Sequence, residues 1–150
     1  MTNNRLSTIA ADLAERLEHQ PPAKLREVAA IAALLAIERT NLTDPRLDAC
    51  RIALRDRIPG DQAARSAVQE MTVELDEVAW NAQDAAAQGS HDTDTYLRAF
   101  KRARAAAAVG FALEPDVLHA ALESVYEAQA AVNDIDAVRS AVQHALPDSD

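Results

Sequence analysis

Four acidic and histidine side chains recur at helical spacing near the C-terminal end of the sequence. Asp116, His119, Glu123 and Glu127 follow an i, i+3, i+7, i+11 pattern and therefore share one stripe of a helix. A carboxylate and a histidine three residues apart can ligate metal in a four-helix bundle when facing helices add a second such pair and two further glutamates. The other three histidines lack an acidic residue three positions before them. We therefore predict no metal site and, because aliphatic residues occupy the opposite face, a stripe that faces solvent.

Two further groups of reactive residues have structural explanations. Ser90, His91 and Asp92 are the residue types of a catalytic triad, but triads depend on a spatial arrangement that sequence neighbours cannot adopt. Asp92, Thr93 and Asp94 are better explained as capping candidates for the following helix. Cys50 lies on an apolar helical stripe without an obvious base, which predicts an inert buried thiol. With no phosphate-binding loop, paired cysteine motif or His-Glu-x-x-His pattern, the sequence predicts no catalytic residue, no cofactor and no enzyme.

The elements that position these residues are predicted to be helices alone. Alanine is the commonest residue, only three glycines occur and aromatic residues make up 3% of the chain, which favours helix over strand. Proline, glycine, asparagine and aspartate separate the helical segments. We predict an all-α bundle of six or seven helices in one domain, with a core over 5–146 and a short acidic tail at 147–150. The predicted helices span 5–19, 22–40, 45–58, 61–88, 94–112, 114–131 and 134–146. We predict Asp61 as the cap of the fourth helix and Asn133 as the cap of the seventh. The predicted buried residues of the third helix are Leu47, Cys50, Leu54 and Ile58.

Net charge and composition restrict the compartment and the partners. The formal net charge is −9 and the isoelectric point is about 4.8, which argues against binding to nucleic acid or to an anionic membrane and favours a basic partner. The single cysteine excludes an intrachain disulfide, and the N-terminal sequence lacks the apolar segment of a signal peptide. The longest apolar run, 28–37, is too short for the roughly 20 residues that span a bilayer. We therefore predict a cytoplasmic protein, and the excess of arginine over lysine is typical of high-GC bacterial genomes.

Acidic residues are concentrated in the fourth predicted helix. No lysine or arginine occurs between Arg65 and Arg98, whereas basic residues cluster in the third and fifth helices. Two explanations remain open: basic helices pack beside the acidic one and their rims form ion pairs, or the acidic helix presents a surface to a basic partner. The carboxylates of this interval are Glu70, Glu74, Asp76, Glu77, Asp84, Asp92 and Asp94.

The only tryptophan lies on the acidic side of this helix. At about 100° per residue, Trp80 falls opposite the aliphatic stripe and, seven residues after it, shares a face with Val73. Glu70, Glu77 and Asp84 flank this pair. Trp80 is then either covered by a second layer of helices or exposed as a binding anchor, the role in which tryptophan is enriched at interfaces. These five residues are our candidate partner-binding site.

The passage "AALLAIERTNLTDPRLDACRIAL" and the alanine-rich helices after it resemble immunity-protein domains of high-GC bacteria, over about residues 25–130. The resemblance consists of an apolar helix, a "DPR" turn and alanine spacing. It implies a small, all-helical cytoplasmic protein that neutralises a cognate toxin by binding it. It assigns no site residues.

Three functions follow as predictions. The first is a non-enzymatic protein-binding domain, such as an immunity protein or antitoxin acting on a basic partner. The second is a small-molecule-binding or enzymatic bundle, with a pocket lined by Tyr96, Phe100, Phe111 and Tyr126. The third is a homo-oligomeric structural or adaptor protein that associates through the acidic face of the fourth helix.

Overall fold

The computed structural model describes residues 4–89 and 93–146, which form seven α-helices and a short 3-10 helix without any strand. The predicted all-α bundle is confirmed. We number the α-helices in chain order. The elements are the 3-10 helix Leu6–Thr8, α1 Ala11–Glu18, α2 Pro22–Thr40, α3 Leu47–Asp56, α4 Gln62–Ala87, α5 Thr93–Ala112, α6 Val117–Val132 and α7 Ile135–Gln143.

Helices α2, α5 and α6 form the centre of the bundle. They pack against one another through alanines that are fully or almost fully buried, and small side chains let helix backbones approach closely. Because both α2 and α6 have neighbours on several sides, even polar positions of α6 are buried. The remaining helices are added around this centre, with α1 and α7 on one part of it and α3 and α4 on another.

Helices α4 and α5 form an antiparallel hairpin, and α4 packs chiefly on α5 and, near its start, on α3. The buried residues of α4 in the core cluster, Ala64, Val68 and Met71, all lie in its first half. Further along α4 the only buried residue is Ala79, which like Ala99 of α5 lies outside that cluster. The buried side chains in the outer half of the hairpin are therefore alanines.

The first predicted helix, 5–19, is wrong in its N-terminal part. The chain forms a single 3-10 turn there, and α1 begins only at Ala11. The hydroxyls of Ser7 and Thr8 donate to backbone carbonyls three residues earlier, at 2.6 Å each. Such local bonds compete with a continuing helix, and Ala10 breaks the helical path with φ −152°.

The helix ends confirm one predicted cap, correct another and correct one predicted helix start. The Asp61 carboxylate accepts the Ala64 backbone N–H at 2.8 Å at the start of α4, as predicted. Helix α6 starts after Asp116, which caps it, and not at 114–115. Asn133 does not cap α7; it ends α6 in the left-handed conformation (φ 57°), which asparagine tolerates, and Asp134 caps α7 instead.

One predicted core residue of α3 is exposed. Leu47, Cys50 and Leu54 are buried as predicted, and burial raises the pKa of the Cys50 thiol. Ile58, however, remains 50% exposed. Because α3 ends before Arg57, which adopts a left-handed conformation (φ 57°), Ile58 leaves the buried stripe that continued helix would have placed it on.

Candidate binding surface

Trp80 is exposed to solvent. Its side chain is 70% accessible, more than any other large hydrophobic residue of the described chain, and Val73 on the same face is 55% accessible. The prediction that a second layer of helices covers this face is therefore excluded over the described residues. Glu70, Glu77 and Asp84 are exposed as well, and none of the three forms an ion pair with a described residue.

Helix α5 adds apolar side chains to the same side of the hairpin. Arg104 of α5 donates to Asp76 of α4 at 2.9 Å, and its guanidinium lies 5.9 Å from the centre of the Phe100 ring. Asp76 and Trp80 line one shallow depression. Since the helices are antiparallel, one turn from this ion pair toward the hairpin tip leads to Trp80 on α4 and to Phe100 on α5.

Leu97, seven residues before Arg104, shares this side and is 45% exposed. Phe100 is 36% exposed. We call the combined surface the hairpin face. It consists of the apolar residues Val73, Trp80, Leu97 and Phe100 and the acidic residues Glu70, Glu77 and Asp84.

Large exposed hydrophobic residues are concentrated on this hairpin. Of the eight in the described chain, four belong to the hairpin face and a fifth, Val78, lies on the opposite side of α4. The cause is the small number of neighbours: the outer half of α4 packs chiefly on α5, and no third helix of the described chain covers the larger side chains of the hairpin face. Clustered apolar exposure of this kind, with a polar rim, marks interaction sites in soluble proteins.

Each of the two explanations of the acidic helix applies to some of the carboxylates of α4. Glu74 accepts from Arg46 at 2.7 Å, which lowers the pKa of Glu74, and Asp76 pairs with Arg104. These ion pairs with α3 and α5 are those expected from basic helices packed alongside. The three carboxylates of the hairpin face have no such partner among the described residues and leave an acidic surface.

The predicted solvent-facing stripe of α6 is half buried, which corrects the sequence analysis. Glu123 is 8% and Glu127 only 1% exposed. Arg5 donates to both of them, through its Nε to Glu123 at 2.9 Å and through a terminal nitrogen to Glu127 at 2.8 Å. Arg104 donates to the second oxygen of Glu127 at 2.9 Å. Two arginines thus face two buried glutamates, and Arg104 also pairs with Asp76.

The outer part of the same stripe is exposed, as predicted. Asp116 serves as the cap of α6, and the Nδ1 atom of His119 lies 2.5 Å from a carboxylate oxygen of Glu114. Among residues 4–89 and 93–146, no three His, Cys, Asp or Glu side chains are grouped so that they could hold a metal ion. The Ser90, His91 and Asp92 segment lies outside the described residues.

The four aromatic residues predicted to line one pocket lie in two places. Tyr96 and Phe100 contact each other with ring centres 6.1 Å apart. Phe111 and Tyr126 instead adjoin Arg5, whose guanidinium is 5.8 Å and 4.4 Å from their ring centres. Eleven residues of α5, about 16 Å, separate the two groups. The pocket proposed from the sequence does not form.

A cleft between α4 and α5 continues the hairpin face toward the core. It has a volume of about 410 Å³ and shares Val73 with that face. Gly110 and Ala107 contribute small residues to its lining. Arg65 also lines it, and the buried Nε of Arg65 has no hydrogen-bond partner in the described chain.

Sequence reasoning missed Arg5, Arg104 and Phe100 as contributors to these sites. Arg5 is 118 residues from Glu123, so no local pattern connects them. Phe100 could have been paired with Trp80 by assuming an antiparallel hairpin and matching turns on the two helices.

No helix within the described ranges is long and apolar enough to cross a membrane. The sequence matches no protein-family model, and no curated protein or solved structure matches it.

Proposed function

We propose that this protein is a non-enzymatic binding domain whose hairpin face docks a basic protein partner, in the manner of an immunity protein or antitoxin. The observation that supports this most directly is the 70% exposure of Trp80 within an apolar surface. Tryptophans at the centre of such surfaces contribute a large share of binding free energy in protein complexes.

The expected contribution of Trp80 to the binding free energy is large. A fully exposed tryptophan presents about 250 Å², so 70% exposure leaves about 175 Å² that a partner could bury. At about 25 cal/mol per Å² this corresponds to about 4 kcal/mol as an upper value. Losses of orientational freedom and side-chain ordering reduce it toward about 2 kcal/mol, which is still the range of an interface hot spot.

The charge of the hairpin face selects the partner. Glu70, Glu77 and Asp84 are not neutralised by described residues, and the whole chain carries a net charge of −9. A basic partner is attracted and an acidic one is repelled, which affects the association rate more than the final affinity. We therefore expect binding that becomes slower as ionic strength rises.

Site-specific photo-crosslinking in the native host tests the proposal. A photoreactive residue in place of Val73, which is 55% accessible on the same face and leaves Trp80 intact, should capture a basic protein, whereas one in place of Ile52 should not capture it. Ile52 is a matched control, because it is also a large exposed hydrophobic residue, 51% accessible, but lies on α3. The combined substitution Trp80→Ala with Glu77→Lys should weaken capture of the same protein in pull-downs while helix content stays constant.

Three outcomes would contradict the proposal. The first is equal capture at both positions, and the second is capture that survives the double substitution. The third is capture of the protein's own chain alone, with a light-scattering mass above one chain, which would favour self-association through α4. A large thermal stabilisation by a metabolite would instead favour the small-molecule alternative.

A further inference from the structure

We infer that the element bound by the hairpin face is an amphipathic α-helix with basic side chains at seven-residue intervals. The inference rests on the proposed function and specifies its partner. It is argued from the spacing of the two rows of side chains that α4 presents.

The acidic and apolar rows of α4 share a single repeat. Glu70, Glu77 and Asp84 are each seven residues apart, and so are Val73 and Trp80. All five are exposed, so the rows are available to a partner along the outer side of the hairpin. In a helix, seven residues correspond to about 10.5 Å along the axis.

A helix is the secondary structure whose own repeat matches this spacing. Two helices packed nearly in line meet again every seven residues, since that is close to two turns of each. A strand presents one face every two residues, about 6.8 Å, and a polyproline helix repeats about every 9.3 Å. Neither the strand nor the polyproline helix can place a basic side chain opposite each of the three carboxylates, which lie about 10.5 Å apart. An α-helix with basic residues at seven-residue intervals can.

The hairpin face and the adjoining cleft suit the length and shape of a helix. From Arg65 in the cleft to Asp84 near the tip, α4 extends 19 residues, about 28 Å or five turns. The small residues Ala107 and Gly110 leave room beside α4 at the inner end, and Phe100 and Trp80 provide apolar contact at the outer end. Binding of an amphipathic helix in such a groove is an established recognition mode.

A second copy of this chain does not provide the required pattern. Its basic residues cluster in α3, where two lie four residues apart, and in α5, where four lie one to six residues apart, and no helix of the described chain carries two Lys or Arg residues seven apart. The occupant is therefore a helix of another protein, with lysines or arginines along one edge and aliphatic residues beside them.

Synthetic peptides of defined charge spacing test this inference directly. Their binding can be followed by fluorescence, because Trp80 is the only tryptophan of the chain and its emission shifts to the blue when a bound peptide buries it. The first peptide is a 21-residue alanine-based helix without tryptophan, with leucines and lysines each at seven-residue intervals on adjacent edges, as the inference requires. A second peptide keeps the composition and the leucines but places the lysines five residues apart, and a third carries glutamates in place of the lysines.

The first peptide should shift the Trp80 emission and bind at least about tenfold tighter than the second, and the third should not bind. The variant Glu77→Lys should lower affinity for the first peptide by at least about tenfold. The matched control Glu38→Lys makes the same charge change at an exposed residue of α2 and should leave affinity nearly unchanged. Equal affinities of the first two peptides, an unshifted emission, or equal effects of the two variants would overturn the inference.

The failure of this inference is distinguishable from that of the proposed function. If crosslinking at position 73 captures a basic partner but no peptide prefers seven-residue spacing, the hairpin face binds a protein element other than a helix with that spacing. If capture from the host survives loss of Trp80, the proposed function is wrong whatever the peptides do.

Discussion

The substitution Glu127→Ala should lower the free energy of unfolding by about 2–3 kcal/mol. The side chain of Glu127 is 2% exposed and accepts one hydrogen bond from Arg5 and one from Arg104. Bonds of this kind, between charged groups, contribute about 1.5–3 kcal/mol each. Removing a buried carboxylate also recovers part of its desolvation cost, which reduces the net loss.

The two arginines left behind decide the size of the effect. Arg5 keeps Glu123 as a partner and its side chain is 46% exposed, so it is rehydrated readily. Arg104 keeps Asp76 but is only 21% exposed. Because neither cation is left without a carboxylate, the loss falls short of the 3–5 kcal/mol typical of a stranded buried charge.

Urea unfolding followed by circular dichroism measures this loss as a lower midpoint at constant slope. A decrease of about 2–3 kcal/mol corresponds to a melting temperature lower by about 5–10 °C for a chain of this size. Glu70→Ala is the matched control: Glu70 is exposed and forms no ion pair with a described residue, so its midpoint should not change. If Glu127→Ala behaves like this control, the buried network does not stabilise the fold.

For three further substitutions, the structure determines whether the free energy of unfolding rises or falls. Arg139 holds the pKa of Asp12 at about 2 instead of 3.8 through bonds of 2.7 and 2.8 Å, so the pair stabilises the fold above about pH 4 and no longer below pH 2. Because Asp12 is well exposed, Arg139→Ala should lower the free energy of unfolding by about 1 kcal/mol or less at pH 6 and by a smaller amount at pH 2, where Asp12 is partly protonated. Urea titrations that show the same difference between the two proteins at both pH values would contradict this. Gly110→Ala should raise the free energy of unfolding by about 0.5–1 kcal/mol, since this helix-interior position has room for a methyl group, with the nearest other atom at 3.6 Å. Gly60→Ala should lower it by about 1–3 kcal/mol, because the new methyl would lie 3.1 Å from side-chain carbons of Leu113; midpoint shifts of the same sign for the two glycines would refute this comparison.

The sequence by itself determined most of the helices, because their signals are local. Pro22 at the start of α2 and Asp61 at the start of α4 act on backbone groups within one turn, so their effects are readable without tertiary contacts. The common face of Val73 and Trp80 follows from helical geometry alone. Where local signals competed, as at Asn133, which could cap one helix or end the other, the prediction was wrong.

Only the tertiary structure decided which polar and apolar side chains are buried. Glu127 and Trp80 lie on helices of similar amphipathic character, yet Glu127 is 1% exposed and Trp80 70% exposed. The difference comes from neighbours distant in sequence: α6 is enclosed by other helices and by Arg5, whereas the outer half of α4 packs chiefly on one helix. Burial depends on how many elements surround a helix, and a helix's own sequence records only which of its residues share a face.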